Sequence, residues 1–323
     1  MTSASRGGAT HESYARGARE PALRGQTIGA MLDAIVVAHG DRDAVVSVQQ
    51  SIRWSYSDLA REVSRCAQAL AVAGVAKGDR VGIWAPNCAE WLVVQFASAQ
   101  IGSILVNLNP SYRAAELEYA LRQSGCRLLV LAAGYRGADY VATLAGIEAP
   151  GLRETVVLGR GWDEFLARGD QRQAALPAEA DLSFDDPINI QYTSGTTGFP
   201  KGATLTHHNI LNNGFFIGET LDYTTADRVC IPVPFYHCFG MVLGTLAAVT
   251  HGACIVLLWE RLRRPRDARG GRRRALHLAL RGPDDVHRRA RPAGLLAVRP
   301  VVAAHRDHGR LDVPGRGDEA RPA

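Results

Sequence analysis

The run Tyr192-Thr-Ser-Gly-Thr-Thr-Gly-Phe-Pro-Lys-Gly202 gathers the residue types best suited to chemistry in this chain: three glycines, four small hydroxyl side chains and a lysine within eleven positions. Glycines let the backbone approach a ligand closely. Hydroxyls and free amides then donate to it, and Lys201 adds a cation, which together is how a protein holds a polyphosphate. The run is not a Walker A loop, since Gly-Lys must there be followed by Ser or Thr, whereas Pro200 precedes Lys201 and Gly202 follows it. A flexible linker has the same composition. A linker, however, has no reason to sit between two predicted strands. A second stretch, Pro232-Val-Pro-Phe-Tyr-His-Cys-Phe-Gly240, sets His237 among aromatic residues. Alone, His237 reads as a satisfied core histidine; with a polyphosphate loop upstream, it reads as part of a ligand-pocket wall.

The elements that must position these stretches follow from periodicity. Ile188-Asn-Ile-Gln191 reads as a buried strand leading into the loop and Ala203-Thr-Leu-Thr206 as the strand leaving it. Upstream, Thr27 is a candidate cap for a helix with Ile28, Met31, Leu32 and Ile35 on one face and Gly40 as its stop. Val45–Val48 and Ile52–Tyr56 flank Gln49-Gln50 as a hairpin, and Ser57 can cap a helix carrying Leu59, Val63, Ala67 and Leu70, ending at Gly74. Strands at Arg80–Trp84, Ser103–Val106 and Arg127–Leu131 alternate with helices at Cys88–Gly102 and Arg113–Gly125. Such alternation predicts an α/β fold with a mostly parallel sheet covered on both faces. Gly78-Asp79 reads as a turn, Trp91 as core, and Asn107 and Asn109-Pro110 as turn residues. The stretch from Ala149 to Ala180 is looser, with one possible strand, Thr155–Leu158. Thr206 or His207 is the candidate cap of a helix through Gly218, with His207 and His208 as cap and surface residues. Asp227–Ile231 and Gly252–Leu258 read as strands around an apolar helix, Met241–Thr250.

The phosphate-loop run resembles the signature loop of the adenylate-forming superfamily, which includes acyl-CoA synthetases, luciferases and peptide-synthetase adenylation domains. Lys77-Gly-Asp-Arg-Val81, Asn87-Cys-Ala-Glu-Trp91 and Gly102-Ser-Ile-Leu-Val-Asn107 are similar to further elements of its large N-terminal domain, in the same order. The Phe-Tyr-His-Cys-Phe-Gly form at 235–240 resembles the fatty-acid-CoA ligase and luciferase branches. The resemblance implies stacked, mostly parallel sheets covered by helices. It also implies that Thr193, Ser194, Gly195, Thr196, Thr197, Gly198 and Lys201 hold the ATP phosphates, with Thr196 near Mg²⁺, and that His237 faces the acyl and pantetheine sites. ATP, Mg²⁺ and coenzyme A are the implied cofactors or co-substrates, and a carboxylic acid the implied substrate.

Composition bounds the rest. Six scattered cysteines with no C-x-x-C pair read as reduced thiols rather than disulfides or a zinc site. The first twenty-five residues lack the apolar core of a signal peptide, and no later run suits a bilayer span, so the predicted location is the cytoplasm. The net charge of +5 is uneven: residues 1–260 carry 20 Lys+Arg against 25 Asp+Glu, and residues 261–323 carry 17 against 7. That last segment uses nine residue types only, each of which has a codon beginning with G or C. In a GC-rich gene most third codon bases are G or C, so a one-base shift produces this alphabet. The segment therefore reads as translated out of frame. Gly282-Pro-Asp-Asp-Val-His287 is compatible with an original Val-Pro-Thr-Met-Phe-Ile, which resembles the family at this distance from the loop.

The expected organisation is a flexible N-terminus at 1–26, an incomplete AMP-binding N-terminal domain at 27–260, and an out-of-frame or disordered Arg-rich tail at 261–323. The expected function is that of the N-terminal half of an ATP-dependent acyl-CoA synthetase, inactive in this form. The alternatives are a non-catalytic nucleotide-binding remnant and an interaction protein using the basic tail. Nucleic acid is not an expected partner, because the tail has neither lysine nor a stacking aromatic residue.

Overall fold

The computed structural model of the chain describes residues 20–257, apart from 173, 179–180 and 194–199. In chain order the elements are α1 (Ile28–His39), β1 (Asp43–Ser47), β2 (Ile52–Ser55), α2 (Tyr56–Val72), β3 (Arg80–Trp84), α3 (Ala89–Gln100), β4 (Ile104–Asn107), α4 (Ala114–Ser124), β5 (Leu128–Leu131), β6 (Gly134–Tyr135), β7 (Ala138–Asp139), α5 (Tyr140–Ala145), β8 (Glu154–Val157), α6 (Trp162–Gln171), β9 (Pro187–Thr193), β10 (Lys201–Thr206), α7 (His207–Thr220), β11 (Arg228–Cys230), α8 (Cys238–Gly240), a π-helical segment (Met241–Leu246), α9 (Ala247–Val249) and β12 (Cys254–Leu257).

Two main sheets result. The larger has the order β10-β9-β4-β3-β5-β8 and the smaller β11-β12-β1-β2. In the first, β9, β4, β3, β5 and β8 run parallel and β10 folds back antiparallel on β9. In the second, only β2 is antiparallel to its neighbour. β3, β4, β5 and β12 are short apolar runs that bury both faces, as parallel strands covered by helices must. On β3 and β5, Val81, Ile83, Leu128 and Val130 enter a core shared with the smaller sheet, while Trp84, Leu129 and Leu131 enter a second core that also holds Leu117 of α4 and Tyr140 of α5. In that second core Trp84 stacks on Tyr140 with ring centroids 3.6 Å apart. α3 is apolar around most of its circumference and is buried accordingly, from Ala89 to Ala99.

Several local expectations change. The cap of α2 is Ser55 rather than Ser57: its hydroxyl accepts from the Asp58 N–H while Asp58 returns a bond to the Ser55 N–H, a capping box contributing about 1 kcal/mol. Hydrogen bonding to Ser55 holds the Asp58 carboxyl below its usual range, helped by Arg61. Within the looser stretch lies α6, whose Trp162, Phe165, Leu166 and Gly169 form a buried face packed on α2. β10 is exposed from Lys201 to Thr204, so the phosphate-loop run is not flanked by two apolar strands. Asn107 ends a strand and is buried, not a turn residue.

His207 is a further correction. It is fully buried rather than a surface residue, and Thr206 caps α7 through a capping box with Asn209. The His207 Nδ1 accepts the N–H of Ile28, 179 residues away, so it satisfies one of the free amides at the start of α1. That bond needs a neutral ring with its proton on Nε2, a buried atom with no hydrogen-bond partner among the described residues. Burial pushes the imidazole down to about 4; the nearby Asp186 carboxylate opposes this and Lys77 adds to it. Nearby, Arg24 is tied to α7: its N–H donates to Asn212 and its guanidinium lies 4.0 Å over the Phe215 ring. Of the flexible terminus expected at 1–26, residues 1–19 lie outside the described residues, as does the whole of the tail expected at 261–323.

Candidate functional site

β9 delivers the phosphate-loop run to the carboxyl edge of the parallel sheet. Its Ile188 and Ile190 are buried or nearly so, and it pairs with β4 in the register Leu105↔Asn189, Val106↔Ile190, Asn107↔Gln191. In open α/β sheets this edge is where ligands bind, because the loops leaving parallel strands converge there. β9 ends at Thr193 and β10 begins at Lys201, and these two residues face each other across the hairpin. The Thr193 Oγ1 lies 3.5 Å from the Lys201 carbonyl oxygen, and both side chains are exposed. Ser194, Gly195, Thr196, Thr197 and Gly198 lie outside the described residues.

The second stretch arrives at the same edge from the other sheet. After β11, residues 231–236 cross toward the ends of β3 and β4, and His237 caps α8, its Nδ1 accepting from the Phe239 N–H at 3.1 Å. His237 is exposed, which sets aside the core-histidine reading. The Cys238 sulfur lies 3.7 Å from the same nitrogen. The chain then enters the π-helical segment, a widened turn frequent at functional sites. There the Thr245 hydroxyl is shared between the Met241 carbonyl and Gln95 Oε1.

A file of buried amides joins the two stretches. Asn107 Nδ2 donates to the carbonyl of Tyr236 at 3.4 Å and meets the Met241 sulfur at 3.2 Å, while Asn107 Oδ1 accepts from Asn189 Nδ2 at 3.0 Å. Gln191 is the register partner of Asn107. Hydrogen bonds therefore run from Asn189, four residues before Thr193, through Asn107 to Tyr236, one residue before His237. Gln95 Nε2, Asn189 Oδ1 and Gln191 Nε2 have no hydrogen-bond partner among the described residues. Buried polar atoms of this kind are where ordered water or a polar ligand group is held. Sequence reasoning missed these amides, although Ile-Asn-Ile-Gln, with an amide at every second position of a strand, carried the signal.

Chemically, the hairpin offers a hydroxyl and a cation to an anionic ligand, and the His237 loop offers an imidazole and aromatic surface beside it. Among the described residues no group of three or more His, Cys, Asp or Glu could hold a metal ion. No helix among the described residues is long and apolar enough to cross a membrane.

The family described as AMP-binding enzyme matches residues 32–269. The medium-chain acyl-CoA ligase ACSF2, mitochondrial, of Rattus norvegicus is 39% identical over 278 residues, which covers 76% of this chain and 44% of that protein. The acyl-CoA ligase SID4 of Ajellomyces capsulatus is 39% identical over 261 residues with the same coverage. Among solved structures, the inhibitor-bound N-terminal domain of FACL13 from Mycobacterium tuberculosis superposes with a TM-score of 0.64 at 25% identity, covering 72% of this chain and 57% of that one. The chain thus spans a little under half the length of these two ligases.

Proposed function

Because this chain belongs to the AMP-binding enzyme family, we propose that it is the N-terminal part of an acyl-CoA synthetase that activates a carboxylic acid, of the fatty-acid class, in the cytoplasm. The reaction has two steps. A carboxylate oxygen attacks the α-phosphorus of Mg·ATP and pyrophosphate leaves; the thiol of coenzyme A then attacks the acyl carbon and AMP leaves. Thr193, Ser194, Gly195, Thr196, Thr197, Gly198 and Lys201 would hold the β- and γ-phosphates, and the Thr196 hydroxyl would serve the Mg²⁺ that accompanies ATP. His237 faces the acyl chain and the pantetheine arm.

One observation carries this reading. β9, which leads into the phosphate-loop run, and the segment that leads to His237 come from different sheets yet reach one carboxyl edge, where Asn107 bonds to Asn189 and to Tyr236, which favours a nucleotide phosphate and an acyl group held side by side. Replacing Lys201 by alanine is expected to weaken ATP binding about tenfold, the loss of one cation contact with the phosphates. Equilibrium titration with ATP checks this. Equal ATP affinity in the two proteins would remove the phosphate assignment.

We further infer that the 323-residue polypeptide binds ATP without completing adenylation. Lys77 and Lys201 are its only lysines. Lys77 is held away from the loop by Asp186 at 2.7 Å and the carbonyl of Asp181 at 2.8 Å, and Lys201 is assigned to the phosphates. No further lysine of these residues is left for the charge developing on the α-phosphate, and a missing group of that kind commonly costs on the order of a hundredfold in rate. Carboxylate-dependent exchange of pyrophosphate into ATP by the purified chain would contradict this inference. A salt-sensitive nucleic-acid complex that disappears on deletion of residues 261–323 would favour the interaction-protein alternative instead.

A further inference from the structure

The segment that carries His237 toward the site has little regular structure to hold it. Ile231 still donates to Val256, but Pro232 and Pro234 have no N–H to offer, and the next backbone bond inside the segment is His237 N–H to the Pro234 carbonyl at 3.2 Å. What fills the gap is a side chain from the other sheet. Asn87, in the turn between β3 and α3, accepts the Phe235 N–H on Oδ1 at 2.8 Å and donates from Nδ2 to the Val233 carbonyl, also at 2.8 Å. One amide thus takes a donor and an acceptor two residues apart, as a neighbouring strand would.

Asn87 is itself held from behind. Its carbonyl accepts from Gln49 Nε2 at 3.3 Å, and the adjacent Gln50 Oε1 accepts the Ala89 N–H at 2.9 Å, supplying the cap that Cys88 does not give α3. Gln50 Nε2 in turn donates to Glu90 at 2.7 Å. The β1–β2 turn, the start of α3 and the His237 segment are therefore one bonded unit with Asn87 at its centre. On its far side Phe235 is buried edge-on against Trp91, centroids 5.6 Å apart.

We propose that Asn87 is a positioning residue for His237, and that through it the turn after β3 sets the acyl side of the site independently of the phosphate side. The inference rests on the acyl-CoA synthetase reading above and deepens it. Asn87 is assigned no contact with either proposed substrate. It acts by fixing the two peptide units that precede His237: its side-chain hydrogen bonds among the described residues all go to residues 231–235, whereas the phosphate loop hangs on β9 and β10.

The test uses the full chain and three variants, Asn87→Ala, Asn87→Asp and His237→Gln. Aspartate keeps the acceptor for Phe235 and loses the donor to Val233. In protein labelled at histidine, the imidazole signal missing from His237→Gln identifies His237. The binding probes are ATP, and octanoate in the presence of ATP. Asn87→Ala is expected to move the His237 signal and to weaken octanoate about tenfold while ATP binding changes less than twofold, with Asn87→Asp between it and the parent. An unmoved His237 signal in folded Asn87→Ala overturns the proposal, and so does a parallel loss of both ligands, which marks general destabilisation. Should Asn87→Ala fail to fold, the same comparison on Asn87→Asp decides. Should the parent chain bind octanoate not at all, it is the synthetase reading that fails, and the His237 signal alone decides the positioning claim.

Discussion

Gly240→Ala is expected to destabilise the folded chain by about 3 kcal/mol, at the upper end of what overpacking costs, and to displace the His237 segment. A methyl carbon built on Gly240 falls 2.2 Å from the Pro234 carbonyl oxygen, 2.6 Å from its carbonyl carbon and 3.0 Å from the Phe235 Cα. All three are backbone atoms. No rotamer change relieves the overlap, so either α8 or residues 234–235 must move, and Phe235 is pinned by Asn87 and Trp91. The Gly240 N–H also donates to the His237 carbonyl at 2.9 Å, which couples the displacement directly to the histidine. Gly146→Ala is the matched control, because its nearest atoms, at 3.6 and 3.7 Å, already allow a methyl group. Denaturant midpoints of the two variants check the difference. A loss below about 0.5 kcal/mol for Gly240→Ala would remove the close approach on which the loop geometry depends.

Acid is expected to loosen the chain through His207. The folded ring holds its proton only near pH 4, against an ordinary value of 6.5, because burial disfavours the cation. Above pH 7 both folded and unfolded states are neutral at this site and it makes no pH-dependent contribution. As pH falls from 6.5 toward 4 the unfolded chain takes up a proton that the folded chain refuses, so stability declines, by about 3 kcal/mol over the full window. Protonation of Nδ1 would also remove the acceptor for the Ile28 N–H and release the start of α1. In His207→Asn the decline should vanish between pH 6.5 and 4.5, since an amide oxygen can accept from Ile28 without titrating. The carboxylates of Asp58 and Asp186, both held below their usual range, contribute acid lability only at still lower pH. Parallel stability curves for parent and variant across that window would show that His207 does not titrate as its burial requires.

What was legible from the chain was local. Alternating apolar runs and helical stripes identified the parallel sheet and its covering helices, because period and length are properties of contiguous residues. The phosphate-loop run stood out through its glycines and hydroxyls, and the hairpin geometry of Thr193 and Lys201 agrees with a loop between strands. Misplaced features share a non-local cause. Ser57 reads as the cap of α2 from sequence, and only the reciprocal bond with Asp58 moves the cap to Ser55. His207 looked like a surface residue because its partner, Ile28, is 179 positions away. α6 was overlooked although Trp162, Phe165, Leu166 and Gly169 keep helical spacing, since the polar run after it blurred the stripe. Asn87 and Asn107 gave no sign of their work. An asparagine after a strand reads as a turn residue until the Val233, Phe235 and Tyr236 peptides it meets, some 130 to 150 positions later, are brought beside it.

Residues 32–269 match the AMP-binding enzyme family, and the acyl-CoA synthetase proposed above carries with it a change of reading frame near residue 260. Sequencing the gene across the codons for residues 259–264, and translating the alternative frame downstream, tests it most directly. The predicted result is an open frame that continues into an aromatic-Gly-x-Thr-Glu segment and, later, a domain with a lysine suited to adenylation. An alternative frame closed by early stop codons, or one encoding no such segment, would contradict the account and leave the Arg-rich residues as this protein's own.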